Sequence, residues 1–206
     1  MNSLQTAPAT LSPKAAQVLA AAKTVFLRDG YEPTSMDAVA REAGVSKATL
    51  YAHFAGKEKL FAAVITSECS RHVHMLELIA EEKLPIGEAL TRFGTNFLDF
   101  LHRPDVIGVF RQVVAESHRQ PALGRLFYEA GPTMVQRRLA EFLSRASARG
   151  EISAADPEMA AELFLAMVKG QTQLRTELGL PPAPQADRDR LVKAAVDLFL
   201  SGVGGA

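Results

Sequence analysis

The sequence predicts an all-α protein of about nine helices: three short ones forming a helix-turn-helix unit, then a larger helical domain. Three observations carry this. Apolar residues recur three and four apart through most of the chain. Proline and glycine stand where helices should begin and end. No segment shows the strict alternation of a half-buried strand.

Each element follows from local chemistry. Ser12-Pro13 supplies an N-cap and a proline at the first helical position. Val18, Ala22, Val25 and Phe26 then share one face, and Gly30 closes the helix. Thr34 and Asp37 have capping-box spacing, with Asp in place of the usual Glu, and open the second helix. Gly44 ends it, and Ser46 can cap the third. Gly56 breaks the chain again, and a long fourth helix starts at Lys57 and runs to about Ala80. Pro85 and Pro104 open helices that end near His102 and Ser117. Pro121 opens another, stopped at Gly150. Inside it, Pro132 cannot donate a backbone bond and clashes one turn back, so a kink or break is expected at Gly131-Pro132. Asp156-Pro157-Glu158 starts a helix to about Leu178. Gly179 to Pro184 is a stiff loop, and a last helix covers roughly Ala186 to Leu200 before a Gly-rich tail. The expected organisation is an N-terminal arm over 1–11, a helix-turn-helix domain over 12–62, and a larger helical domain over 63–206.

Bulk composition narrows the function by exclusion. Apolar residues make up 48% and charged residues 22%, as in an ordinary soluble protein. Lys and Arg number 23 against 23 Asp and Glu, so no global basic field attracts nucleic acid. Residues 1–60 hold seven Lys/Arg against five Asp/Glu, a small tilt. The single Cys69 excludes an intrachain disulfide framework and fits a reducing cytoplasm. No apolar run approaches the roughly 18 residues of a membrane span, and the N-terminus lacks the pattern of a secretory signal. Cytoplasmic location is expected, with no membrane partner and no cofactor.

Chemistry concentrates in the segment from Thr34 to Phe54. Two short helices joined by a tight glycine turn are the layout that places a second helix in a DNA major groove. Leu50 and Phe54, four apart, point inward with Phe26, Val39, Ala40 and Val45. That leaves Lys47, Ala48, Thr49, Tyr51, Ala52 and His53 outward or on the flanks. Lys47 suits a phosphate or a guanine edge, Thr49 and Tyr51 carry hydroxyls for phosphates, and Ala48 and Ala52 permit close approach to thymine methyls. Lys57 starts the fourth helix, where free N–H groups and the helix dipole favour a phosphate. Ser35, near the start of the second helix, has the same opportunity, and Ser46 completes the candidate set.

The whole segment resembles one family. Val18-x-x-Ala21-Ala22-x-x-Val25-Phe26-x-x-x-Gly30-Tyr31, then Thr34-Ser35, then Ala43-Gly44-Val45-Ser46-Lys47-Ala48-Thr49-Leu50-Tyr51-x-His53-Phe54-x-x-Lys57-Glu58-x-Leu60-Phe61 is similar to the DNA-binding domain of the tetracycline-repressor (TetR/AcrR) family over residues 14–64. The resemblance implies three-helix DNA-binding domains on a dimer, each with a helical ligand domain behind it. It also implies that Ser35, Lys47, Ala48, Thr49, Tyr51, His53 and Lys57 contact a double-stranded operator. Ala38 departs from the family's usual charged residue, and Ala52 from the polar or aromatic residue of many members. Glu116 to Pro121, Phe127 to Pro132 and Arg149 to Ile152 resemble one C-terminal subgroup of that family.

The expected function is a ligand-responsive transcriptional regulator, a repressor in most of the family. It would bind a near-palindromic operator as a homodimer and be released by a small, mostly apolar effector. Candidate effector contacts are Phe97, Phe110, Arg111, Gln112, Glu116, His118, Phe127, Met134 and Met167. Candidate dimer residues are Met159, Leu163 and Met167 on one helix and Leu191, Ala195 and Leu198 on the last, stripes at helical spacing. Two alternatives stand beside this. A helical adaptor that binds protein would suit the zero net charge, but Lys47, Tyr51, His53 and Lys57 cluster on one motif against it. An enzyme would have to rest on scattered residues, because no nucleophile elbow, phosphate-binding loop or dinucleotide fingerprint is present. Glu68 and His72 lie four apart, but without a larger ligand cluster they read as solvated groups rather than a metal site. His102 and His118 fit helix C-termini, and Cys69 reads as a small buried hydrophobe.

Overall fold

Ten α-helices and no strand make up the described residues, 12–203, of this computed structural model. The arm expected over 1–11 and the last three residues lie outside them, as do the side chains of Arg71 and His72, and with these the Glu68/His72 spacing. The helices are α1 (Pro13–Asp29), α2 (Met36–Glu42), α3 (Lys47–His53), α4 (Lys57–Glu81), α5 (Ile86–Leu101), α6 (Pro104–Ser117), α7 (Pro121–Ala130), α8 (Pro132–Ala148), α9 (Pro157–Glu177) and α10 (Gln185–Val203). The chain forms two compact units, the first ending at Val64 and the second beginning at Ile65, so α4 contributes to both.

In the first unit the caps fix the helix starts. The Ser12 hydroxyl accepts from the Ala15 amide at 3.2 Å, with Pro13 in the first turn. The second helix is capped by Ser35 and not by Thr34. Thr34 is buried, and its hydroxyl donates to the Gly30 carbonyl at 2.6 Å, which leaves the extended Ser35 to accept from Ala38 N–H at 3.1 Å. The capping-box reading of Thr34 and Asp37 is therefore corrected by one residue. Between α2 and α3, Gly44 has φ +61, the left-handed geometry that a β-carbon disfavours. Its amide donates to Arg41 O and the Val45 amide to Ala40 O, the paired bonds of a Schellman turn. Phe26, Val39, Leu50 and Phe54 are buried in the core between the helices. Phe26, Tyr31 and Phe61 add a ring cluster with centroids 5.0–5.9 Å apart.

The second unit is built on α5, α9 and α10, which pack on one another, with α8 on α9 and α7 between α6 and α8. Phe93, Phe164 and Phe199 link its centre through ring contacts of 5.2 and 6.4 Å about Phe164. The break expected at Gly131-Pro132 is complete, and it is what makes ten helices instead of nine: Gly131 closes α7 and Pro132 starts α8. The break docks on α4. The Thr66 hydroxyl donates to the Ala130 carbonyl at 3.3 Å, and a β-carbon on Gly131 would stand 3.0 Å from Ile65 Cγ2. A second interruption, absent from the sequence expectation, falls inside α9. Gly170 (φ +47, ψ −151) breaks the helix where a β-carbon would meet Leu191 of α10 at 3.0 Å.

Candidate nucleic-acid interface

α3 divides cleanly into two faces. Leu50 is fully buried and Phe54 nearly so, one turn apart. On the opposite side Lys47, Ala48, Tyr51 and Ala52, at i, i+1, i+4 and i+5, are exposed, Tyr51 at 45% of its surface; His53 is exposed at the last helical position. The hydroxyls serve the fold first. Ser46 Oγ accepts from the Thr49 amide at 3.0 Å and lies 2.8 Å from Thr49 Oγ1, so both belong to the cap of α3, as Ser35 belongs to that of α2.

The cations are tied as well. Lys47 Nζ lies 2.7 Å and 3.0 Å from the two carboxylate oxygens of Asp37, and that contact raises the lysine above its usual pKa. Lys57 Nζ donates to the carbonyls of Tyr31 (3.1 Å) and Glu32 (2.9 Å) and sits 4.6 Å from the Tyr31 ring centroid. Burial, aided by Glu58 and Glu32, pushes the Tyr31 phenol up to about 12. Arg28 bridges Asp29 and Glu42, joining α1 to α2; its hydrogen bond holds the Asp29 carboxyl below the usual range.

The residues proposed to meet an effector stand on α5 to α9, with His118 at the end of α6. Arg111 is engaged by the fold: its guanidinium donates to the Thr176 and Glu177 carbonyls at the end of α9. Phe97 is buried and stacks on Phe93 at 5.8 Å on α5. Phe110 and Phe127 are half-buried and face each other across α6 and α7 at 6.1 Å. Gln112 and Glu116 are half-buried on α6, Glu116 lying 3.7 Å from Arg119. His118 is exposed at the end of α6. Met134 is half-buried, with Ser70 Oγ 3.9 Å from its sulfur, and Met167 is half-buried on α9.

The dimer candidates divide too. Met159, Leu163 and Leu198 are exposed, Leu198 at 68%. Leu191 is half-buried against Gly170. Ala195 is 3% exposed within its own chain, on the face of α10 that carries Val192, Val196 and Phe199. Glu68, expected as a surface charge, has a largely covered side chain paired with Arg103 at 3.2 Å; Arg103 also holds Asp105 at 2.5 Å. Sequence reasoning missed Asp37 as the partner of Lys47, because ten residues and a turn separate them.

A three-helix unit with a polar outward face on its third helix defines a helix-turn-helix DNA-binding protein. Residues 18–64 match the family described as bacterial regulatory proteins, tetR family, and residues 88–202 match the C-terminal domain described for the AefR-like transcriptional repressor. The chain belongs to the TetR family of transcriptional regulators and carries an AefR-like C-terminal domain. It is 25% identical to the HTH-type transcriptional regulator YvkB of Bacillus subtilis, over 94% of this chain and 98% of that one. The solved structure of the flavonoid-responsive regulator FrrA is 38% identical, covers 94% of this chain and 98% of its own, and superposes with a TM-score of 0.71. A TetR-family regulator from Mesorhizobium loti is 28% identical over 93% of this chain and 97% of its own, with a TM-score of 0.78. These relatives are regulators, and the enzyme reading falls with them. Among the described residues no helix is long and apolar enough to cross a membrane.

Proposed function

We propose that the chain is a repressor that binds a near-palindromic operator as a homodimer and releases it when a small, mostly apolar effector binds its second unit. The observation that carries the DNA-reading part is the outward face of α3, where Lys47, Ala48, Tyr51 and Ala52 are exposed over a buried Leu50. Ala48 and Ala52 admit close approach to base edges, while Lys47 and Tyr51 reach beyond them. Ser35, Ser46, Thr49 and His53 flank this face and contribute backbone-phosphate contacts. Lys57, held on two carbonyls, acts first as a brace. Two such units related by a two-fold axis require an operator with matching half-sites.

Exposed Met159, Leu163 and Leu198 support a seam formed by α9 and α10 from each subunit. FrrA, 38% identical, is a flavonoid-responsive regulator, and this favours a planar aromatic effector here. Phe110 and Phe127 are the aromatic pair suited to it, with Gln112, Glu116, His118, Met134 and Met167 as further candidates. The effector must bind the released arrangement more tightly; a tenfold drop in operator affinity takes about 1.4 kcal/mol of coupling. α4, which contributes to both units, is the element through which that coupling passes. A gel shift with genomic fragments, repeated with a flavonoid and with small aliphatic compounds, tests the reading. Sequence-selective retardation relieved by the aromatic compound is expected. No retardation of any fragment overturns it.

A further inference from the structure

Asp37 puts an exposed carboxylate in the first turn of α2, beside a helix that must approach the phosphates of DNA. A bare acid there repels the ligand. It is not bare: both its oxygens engage Lys47, the one Lys or Arg of α3. Lys47 is the first residue of α3, where a cation opposes the helix dipole and gains from a neighbouring acid. An exposed pair of this kind adds little to stability, so its effect should be sought in binding.

A free lysine is a point charge on a flexible four-carbon stem. At a DNA surface it finds a phosphate in any register, which adds affinity that carries no sequence information. Tied to Asp37, Lys47 has its charge offset, part of its donor capacity engaged and its stem held in one direction. What remains is a donor in a fixed place, suited to the acceptor edge of a guanine and ill suited to phosphates in arbitrary positions.

We propose that Asp37 is a specificity-determining residue that acts through Lys47, withholding it from the phosphate backbone and presenting it to a base edge. This rests on α3 being the DNA-reading helix. Random-sequence duplexes would be enriched on the full-length wild-type protein. The best duplex and a scrambled version of it would then be titrated at several salt concentrations with wild type, Asp37→Asn, Lys47→Ala and the double variant. Asp37→Asn should bind the scrambled duplex roughly three- to tenfold more tightly, with a salt dependence steeper by about one counterion. Its affinity for the enriched duplex should change less, so selectivity falls at least about threefold. In the Lys47→Ala background the same change should move selectivity by less than about twofold, since the two residues act as one unit. Asp37→Glu should keep the wild-type selectivity. Unchanged selectivity in Asp37→Asn would overturn the proposal, as would an equal loss in the Lys47→Ala background, which would mark bulk charge removal. If no duplex is enriched at all, the assignment of α3 fails, and this proposal with it.

Discussion

Lys57 and Tyr31 are locked together: the ammonium donates to the Tyr31 carbonyl at 3.1 Å and lies 4.6 Å from the centre of the same residue's ring. The Glu32 carbonyl takes a second bond, so the first residue of α4 clamps the chain between α1 and α2. The Tyr31 bond is part-buried and the Glu32 bond exposed, and a charged hydrogen bond contributes about 1.5–3 kcal/mol. Lys57→Ala should therefore lower the stability of the first unit by that order, seen as a reduced urea midpoint. A midpoint equal to wild type would return Lys57 to a purely phosphate-binding role.

Gly131 tests the docking of the α7–α8 break on α4. An added β-carbon would stand 3.0 Å from Ile65 Cγ2 and 3.4 Å from Cys69 Sγ. Overpacking of this kind costs about 1–3 kcal/mol, so Gly131→Ala should unfold at lower denaturant with unchanged helix content by circular dichroism. Wild-type stability would mean the contact is loose.

On α10 two neighbouring substitutions should part ways. Leu198→Glu places a charge on an exposed position and should shift the protein towards monomers in sedimentation while each subunit stays folded. Ala195→Glu buries an unpaired charge within the subunit, and should lose the fold itself. A folded monomer from Ala195→Glu would contradict its place in the core.

Burial pushes the Cys69 thiol from 9.0 up to about 12, with Glu68 adding to it. The folded protein keeps a proton that the unfolded chain gives up from about pH 9, so this contribution is complete below pH 9 and lost as pH rises towards 12. Tyr31, raised from 10.0 to about 12, acts the same way over the upper part of that window. The urea midpoint should fall from pH 9 upwards, and fall less steeply in Cys69→Ala. A Cys69 thiol that reacts readily with a disulfide reagent at pH 8 in the native protein would contradict its burial.

Local chemistry was the legible part of this sequence. Ser12-Pro13 and Asp156-Pro157 cap α1 and α9 by side-chain bonds to the third residue on, and Gly44 turns α2 into α3 as its position implies. The inward pair Leu50 and Phe54 followed from helical spacing alone. What escaped depends on partners far along the chain. Arg111 bonds the Thr176 and Glu177 carbonyls at the end of α9, partners that lie 65 and 66 residues further along the chain. Ala195 shares the stripe of Leu191 and Leu198, and only the packing of α10 on α5 and α9 decides which side of the helix is core. Gly170 breaks α9 at φ +47 with Leu191 of α10 standing 3.0 Å from where a β-carbon would be, and a lone glycine in a helical pattern does not announce that neighbour. Thr34 reads as the cap of α2, but its burial and its bond to the Gly30 carbonyl leave that role to Ser35.

The proposed reading of DNA by α3 rests on its outward face. Lys47 and Tyr51 are exposed and sustain no core, so Lys47→Ala/Tyr51→Ala should fold as wild type. The decisive measurement is the affinity of that double variant for the duplex best enriched by the wild-type protein, by fluorescence anisotropy at one fixed salt concentration. A loss of at least about tenfold is expected, since a base contact and a backbone contact are removed together. Full affinity in a folded double variant would contradict it.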